Sequence, residues 1–216
     1  IFVDMLWNNT EEEIKESITK YGMSGFRYNN MPAADLHRQN AVIQENSKIP
    51  ALIAANIEAG GDGGVGGGTH FGYHVAIGAT QDKENAYKLG YYGCKEAAAI
   101  GCNWTFAPIV DINRNWRSSV VYNRCFSSDS DQVLEMSKEY LRGAKDAGLA
   151  SCMKHFPGDG LDERDQHVVT TDNLMSCEEW DKDFGKVYKG MIDAGVESVM
   201  IGHIRLPEYQ RKLKPG

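Results

Sequence analysis

Ala150-Ser-Cys-Met-Lys-His155 is an apolar run that ends on two charged groups, and the way it ends decides the fold. A near-continuous apolar strand flanked by helical crossovers marks a parallel sheet covered on both faces. Working outward from this run, the same ending recurs. Ile1–Trp7 closes on Asn8 and Asn9, Gly25–Tyr28 contains Arg27 and runs into asparagines, and Ala51–Asn56 is followed by Glu58. Asn103–Asp111 ends on an aspartate, and Val196–His203 ends on a histidine. An open doubly wound sheet gathers ligand groups mainly at one switch point. A barrel gathers them from the C-terminal ends of many strands around one rim. The expected fold is therefore α/β, a (β/α)8 TIM-barrel-like architecture with about six of the eight β/α units present.

Helical patterns fill the intervals. Thr10 with Glu13 is a capping box before a helix whose Ile14, Ile18 and Tyr21 share a face. Further helices are expected at about 34–46 and 81–100, separated by a glycine-dense stretch at 60–68. Ser128 opens another, with Val133, Leu134, Met136, Tyr140 and Leu141 along it. A second capping box, Ser176 with Glu179, precedes a helix presenting Phe184, Val187, Tyr188, Met191 and Ile192 and stopped at Gly195.

Composition bounds the function. With 42% hydrophobic and 25% charged residues, the 216-residue chain can bury a core, and no apolar run approaches the roughly 20 residues of a membrane helix. Its net charge of −7 without a basic stripe argues against nucleic acid, whose binding rests on phosphate neutralisation. No membrane partner is expected. Five cysteines without a Cys-x-x-Cys pair predict buried, reduced thiols; with no visible leader, a cytoplasmic location is expected.

The chemistry concentrates in Lys154-His-Phe-Pro-Gly-Asp-Gly-Leu-Asp-Glu-Arg-Asp-Gln-His167. A strand ends at Lys154-His155, Pro157-Gly158 turns the chain, and a long polar loop runs on to Ser176. Loops of this length inside compact domains are usually functional or disordered. Asp165 and His167 are two apart, close enough for the carboxylate to bond one imidazole nitrogen. Such a bond fixes the tautomer and suits the other nitrogen to general acid/base work. Alone, Asp-x-His in a polar loop also describes solvated surface.

Lys-His-Phe-Pro-Gly-x-Gly followed by Asp-x-His resembles the signature of bacterial β-N-acetylglucosaminidases of glycoside hydrolase family 3. Other segments agree in order. Phe106-Ala-Pro-Ile-Val-Asp111 is similar to that family's fourth barrel strand, Arg124-Cys-Phe126 with Asp129 to its Arg-x-Phe-x-x-Asp region, and Val199–His203 with Pro207 to its sixth strand. Asn56-Ile-Glu58-Ala-Gly60-Gly61 is similar to its Asp-x-Glu-Gly-Gly segment.

The resemblance implies a retaining hydrolase that removes terminal β-linked N-acetylglucosamine, needs no cofactor or metal, and has a carbohydrate substrate as its partner. Residue by residue it implies His167 as acid/base, Asp165 as its orienting partner, and Lys154, His155, Arg124, Asn56 and His203 as sugar-binding groups. It further implies that residues 1–216 form a single, incomplete catalytic barrel domain, with strands seven and eight and an aspartate nucleophile expected beyond residue 216. The fragment alone is then expected to be inactive. Three positions depart from the pattern: Asn56 stands for an aspartate, Asp159 for a histidine, and the glycine run lacks the family's arginine.

Other readings stay open. Gly61-x-Gly63-x-x-Gly66 matches a dinucleotide fingerprint as a string, although no apolar helix follows it directly. His70 and His74 are four apart, and His155, Asp159, Asp165 and His167 together would suit a metal-dependent barrel hydrolase. A non-catalytic amino-sugar-binding protein and a β-glycoside phosphorylase fit the same loop. Trp7 is placed to stack on a sugar face, whereas Trp104 and Trp116 read as packing.

Overall fold

The computed structural model describes residues 3–7 and 9–213; Ile1, Phe2 and Asn8, read as part of the first strand and its end, lie outside them. Six strands make one wholly parallel curled sheet: β1 (Val3–Leu6), β2 (Gly25–Tyr28), β3 (Leu52–Ala55), β4 (Trp104–Thr105), β5 (Ala150–Phe156) and β7 (Ser198–Ile201). They lie side by side in chain order. The helices are α1 (Glu11–Thr19), α2 (Ala33–Asn46), α3 (His74–Ala79), α4 (Lys83–Ala98), α5 (Ser130–Asp146), α6 (Cys177–Lys182), α7 (Phe184–Asp193) and α8 (Pro207–Leu213). The result is an α/β half-barrel, as the strand endings predict. No described helix is long and apolar enough to cross a membrane.

The core lies between the sheet and the helices. Phe26, Ile53, Leu36, Leu89, Val133 and Met191 are all nearly or wholly buried. Each contributes roughly 1.5–3 kcal/mol by leaving water. Both expected capping boxes are present, Thr10 with Glu13 and Ser176 with Glu179. Cys94, Cys102, Cys125 and Cys152 are buried thiols, and Cys177 is half-buried.

Several elements differ from the sequence reading, each for a local reason. The helix expected at 81–100 begins at Lys83 because the Asp82 carboxylate caps the Glu84 N–H. The next begins at Ser130, where Asp129 rather than Ser128 accepts from two amides. The single helix expected before Gly195 is two, broken at Asp183, whose carboxylate takes a fork of bonds from Arg114 at 2.9 and 2.6 Å. Ile192, expected on its buried face, is exposed, and so is Tyr21, which lies past the end of α1. The strand expected over 103–111 is regular only at Trp104–Thr105, since Pro108 has no N–H for the ladder; Ile109 still bridges to Lys154. The polar loop before Ser176 contains β6 (Thr171–Asp172), which pairs in parallel with β8 (Ile204–Arg205).

One buried histidine contributes to how the fold responds to acid. His74, at the start of α3, is fully buried and stacks on Phe126 with centroids 4.0 Å apart and planes 4° from parallel. Burial, opposed by Glu58 and reinforced by Lys154 and Arg124, pulls its pKa down to about 4. Between pH 6.5 and 4 the unfolded chain therefore binds more protons at this position than the folded one, and stability falls as pH falls through that window. The full loss is on the order of 3 kcal/mol. His74→Phe keeps a ring on Phe126 and removes the proton. Urea midpoints measured from pH 7 to 4 should fall less steeply for the variant; an unchanged slope would count against His74 as the source.

Candidate active site

The C-terminal rims of β3, β5 and β7 and the loops that follow enclose a cleft of about 460 Å³. Its lining includes Asn56, Arg124, Lys154, His155, His167 and His203, so every sugar-binding residue expected from the sequence faces one space with the expected acid/base.

The floor is a buried charge cluster. Lys154, 2% exposed at the end of β5, places Nζ 2.6 Å from Glu58 Oε1 and 3.4 Å from Asn56 Oδ1. Arg124 donates to the same carboxylate as a fork, Nε to Oε2 at 2.8 Å and Nη2 to Oε1 at 2.9 Å. Burial alone would raise the Glu58 pKa, but the two cations and their hydrogen bonds hold it well below the carboxylate range. Burial pulls the Lys154 pKa below its ordinary value, with Glu58 opposing. Glu58 thus orients two donors toward the cleft, as charged donors to hydroxyl-rich ligands need to be oriented.

A second buried cluster lies beside it. His155 Nδ1 is 2.7 Å from Asp111 Oδ2, and Asp111 Oδ1 accepts the backbone N–H of His155 at 3.1 Å and of Asp159 at 2.8 Å. Burial raises the Asp111 pKa, but the His155 ring and these bonds outweigh it and hold it below the ordinary value. Burial and the Asp111 charge push Asp159 the other way, up to about 6. Arg27, in the centre of β2, also lines the cleft, and its hydrogen bonds run to neutral partners, Asn29 Oδ1 at 2.9 Å and Met5 Sδ at 3.2 Å.

The loop bearing the dyad is stapled in place. Gly158 has φ +116°, and a Cβ there would come within 2.2 Å of the Phe184 ring. Gly160 has φ +109°, and its Cβ would meet the Ile112 carbonyl at 2.2 Å. Only glycine fits either turn. Asn115 donates to the Leu161 carbonyl at 2.9 Å and Asn173 to that of Gly158 at 3.2 Å. Asp162, Arg164, Asp172 and Arg205 form a surface ion lattice alongside the β6–β8 pair. At the tip, His167 Nδ1 is 2.7 Å from Asp165 Oδ1, which also accepts the His167 backbone N–H at 2.8 Å. Those two bonds, the backbone one foremost, hold the Asp165 pKa below its ordinary value. Both side chains are largely exposed, at 66% and 43%.

The metal reading does not match this geometry, because its four side chains face different partners: His155 meets Asp111, Asp159 meets Gln166, and His167 meets Asp165. His70 bonds Asp62 at 2.6 Å, away from the buried His74. The glycines at 61–63 form a 3-10 turn with no helix behind it until α3. Trp7 is 65% exposed but does not line the cleft, and Trp104 donates to Ser198 Oγ at 3.0 Å.

Sequence reasoning named Arg27, Glu58 and Asp111 among the strand-end groups without counting them as site residues, and it missed Gln166. The signal of those three was position: each lies toward or beyond the C-terminal end of a strand. Gln166 gave none, being one polar residue among several.

Comparison with known proteins follows the same lines. Residues 3–215 match the glycosyl hydrolase family 3 N-terminal domain. A β-N-acetylglucosaminidase/β-glucosidase of Cellulomonas fimi is 43% identical over 194 residues, covering 90% of this chain and 34% of that protein. The chain therefore spans about a third of that relative's length. Among solved structures, a β-glucoside phosphorylase, BglX, bound to 2FGlc superposes with a TM-score of 0.94 at 34% identity, over 99% of this chain and 39% of that one. A family 3 β-N-acetylglucosaminidase from Paenibacillus sp. str. FPU-7 superposes with a TM-score of 0.84 at 27% identity, over 96% of this chain and 41% of that one.

Proposed function

Since the chain belongs to glycosyl hydrolase family 3, we propose that the protein containing it is a retaining glycosidase that removes terminal β-linked N-acetylglucosamine. One observation carries the reading: the His167–Asp165 pair, 2.7 Å apart, stands over a cleft whose floor holds Lys154, Arg124 and His155. Lys154, Arg124, Asn56, His155 and His203 bind the sugar hydroxyls. Asp165 fixes the His167 ring through Nδ1, so Nε2 delivers the proton to the departing glycosidic oxygen. An aspartate on a seventh strand, beyond residue 216 in the intact protein, forms the glycosyl-enzyme bond as that oxygen leaves. Neutral His167 then takes a proton from water, which attacks the same carbon and releases the sugar with its configuration retained. Residues 1–216 are accordingly most of one catalytic barrel, which two further β/α units complete.

A second reading has its own support. Arg27 lines the cleft, hydrogen-bonded to the neutral Met5 and Asn29 and within reach of the Glu58 charge, a cationic donor for an anion, and the 34%-identical structure is that of a β-glucoside phosphorylase. An imidazole, unlike a carboxylate, does not repel an incoming phosphate. In that reading phosphate attacks the glycosyl-enzyme in place of water, giving a sugar 1-phosphate.

Turnover of an aryl β-N-acetylglucosaminide by the full-length protein, with and without inorganic phosphate, separates the alternatives. Release of free N-acetylglucosamine at a rate indifferent to phosphate supports hydrolysis. A phosphate-dependent rate with a sugar 1-phosphate product supports the second reading. Binding without turnover, or activity abolished by a chelator and restored by zinc or manganese, overturns both.

A further inference from the structure

The dyad sits on an exposed stretch, yet the residue between its two members is buried. Gln166 is 4% exposed and turns inward while Asp165 and His167 turn out. Its carboxamide is engaged at both ends. Nε2 donates to Asp159 Oδ2 at 2.6 Å, and Oε1 accepts the His203 backbone N–H at 3.0 Å. Asp159 is itself fixed. It is 2% exposed, its N–H donates to Asp111 at 2.8 Å, and its Oδ1 accepts the Gly160 N–H at 2.7 Å. Asp111 in turn holds His155 on the cleft floor. One hydrogen-bonded line therefore runs from the sugar-binding side of the cleft, through Asp159 and Gln166, to the end of β7, passing directly under the dyad.

We propose that Asp159 and Gln166 form a latch that positions His167 for proton transfer. Gln166 borders the cleft, but with both polar ends engaged it acts through its neighbour and not on the substrate. An imidazole that is two-thirds exposed has little packing of its own to hold it, so the inward anchor one residue away sets where the ring stands. Displacing a reacting group by about 1 Å can cost about 10²-fold in rate. The latch also gives Asp159 a role matched to this chain, where it stands between two glycines in place of the expected histidine. The inference rests on His167 being the acid/base, and the test separates the two.

The pairing has a polarity that can be reversed. Gln166→Glu sets a carboxylate against the Asp159 carboxylate. Asp159→Asn sets an amide N–H₂ against either Gln166 Nε2 or the Gly160 N–H. In the double variant Asp159→Asn/Gln166→Glu the amide donates and the new carboxylate accepts, and the Gly160 and His203 N–H groups still find oxygens. In the full-length protein, each single variant should lower kcat for a glycoside with a poor leaving group by about 10- to 100-fold. KM should change little, and an activated aryl glycoside should lose much less. The double variant should recover most of the loss. If Gln166→Glu fails to fold, Gln166→Met, which keeps the length without the polar ends, should give the same leaving-group-dependent loss. A double variant no better than the singles combined, or losses equal across leaving groups, overturns the latch. If His167→Ala, measured alongside, shows no leaving-group dependence, the acid/base reading falls and the latch with it; a His167→Ala variant that behaves as an acid knockout beside uniform latch variants sinks the latch alone.

Discussion

His167→Ala in the full-length protein should lower kcat/KM for N-acetylglucosaminides with poor leaving groups by about 10²–10⁴-fold, the usual contribution of a positioned general acid. For a dinitrophenyl leaving group, which departs without a proton, the first step should be nearly unaffected. The gradient follows from geometry: His167 faces the cleft and its Nδ1 is held by Asp165 at 2.7 Å, leaving the other nitrogen to meet the glycosidic oxygen. Asp165→Asn should give a smaller loss, since an amide can still bond Nδ1 but can present its N–H₂ there and so fix the ring less reliably. Rates measured across a series of aryl glycosides check both points. Equal losses at every leaving group would remove His167 from the acid role.

Glu58→Ala should have the largest effect on stability. The Glu58 carboxylate is the shared partner of Lys154, at 2.6 Å, and of Arg124, at 2.8 and 2.9 Å, and the Lys154 side chain is only 3% exposed. Removing the acid leaves two crowded cations without their counter-charge, a change that costs about 3–5 kcal/mol in buried ion clusters. In a domain of this size that corresponds to a fall of roughly 10 °C in Tm. Sugar binding should weaken as well, because the two donors lose the anion that aims them. Thermal unfolding and titration with N-acetylglucosamine measure the two effects separately. A variant with unchanged Tm would show that water, and not Glu58, balances the charges. Glu58→Gln should be milder, since the amide oxygen still accepts one of the bonds.

The barrel was legible because its evidence is repetitive. Each apolar run from Gly25–Tyr28 onward ends near a polar or charged group, and five of the groups so placed, Arg27, Asn56, Lys154, His155 and His203, line one cleft. Local chemistry was equally readable where one side chain decides the matter, as at Thr10 and Ser176. What escaped notice depends on contacts between distant segments. Asp183 breaks a helix in order to hold Arg114, sixty-nine residues away, and no window of neighbours shows that need. The two-residue strands β6 and β8 exist only through each other. Gln166 has the composition of a solvated loop residue, and its burial follows from Asp159 and His203 arriving on opposite sides. The site's residue types could be read from sequence, whereas the buried partners that aim them come from tertiary packing.

The pairing of β6 with β8 has a consequence for the order of assembly. The six strands of the main sheet lie in the sequence in which a ribosome makes them, so each can dock on its predecessor as it emerges. The cations of the cleft floor and their carboxylate are all in place once β5 has formed. The dyad loop precedes β7 in the chain, but its staples, Ile204 and Arg205 on β8 and the His203 amide, are synthesised after it. The nascent chain therefore sets the buried charges of the cleft floor before it fixes the histidine that stands above them.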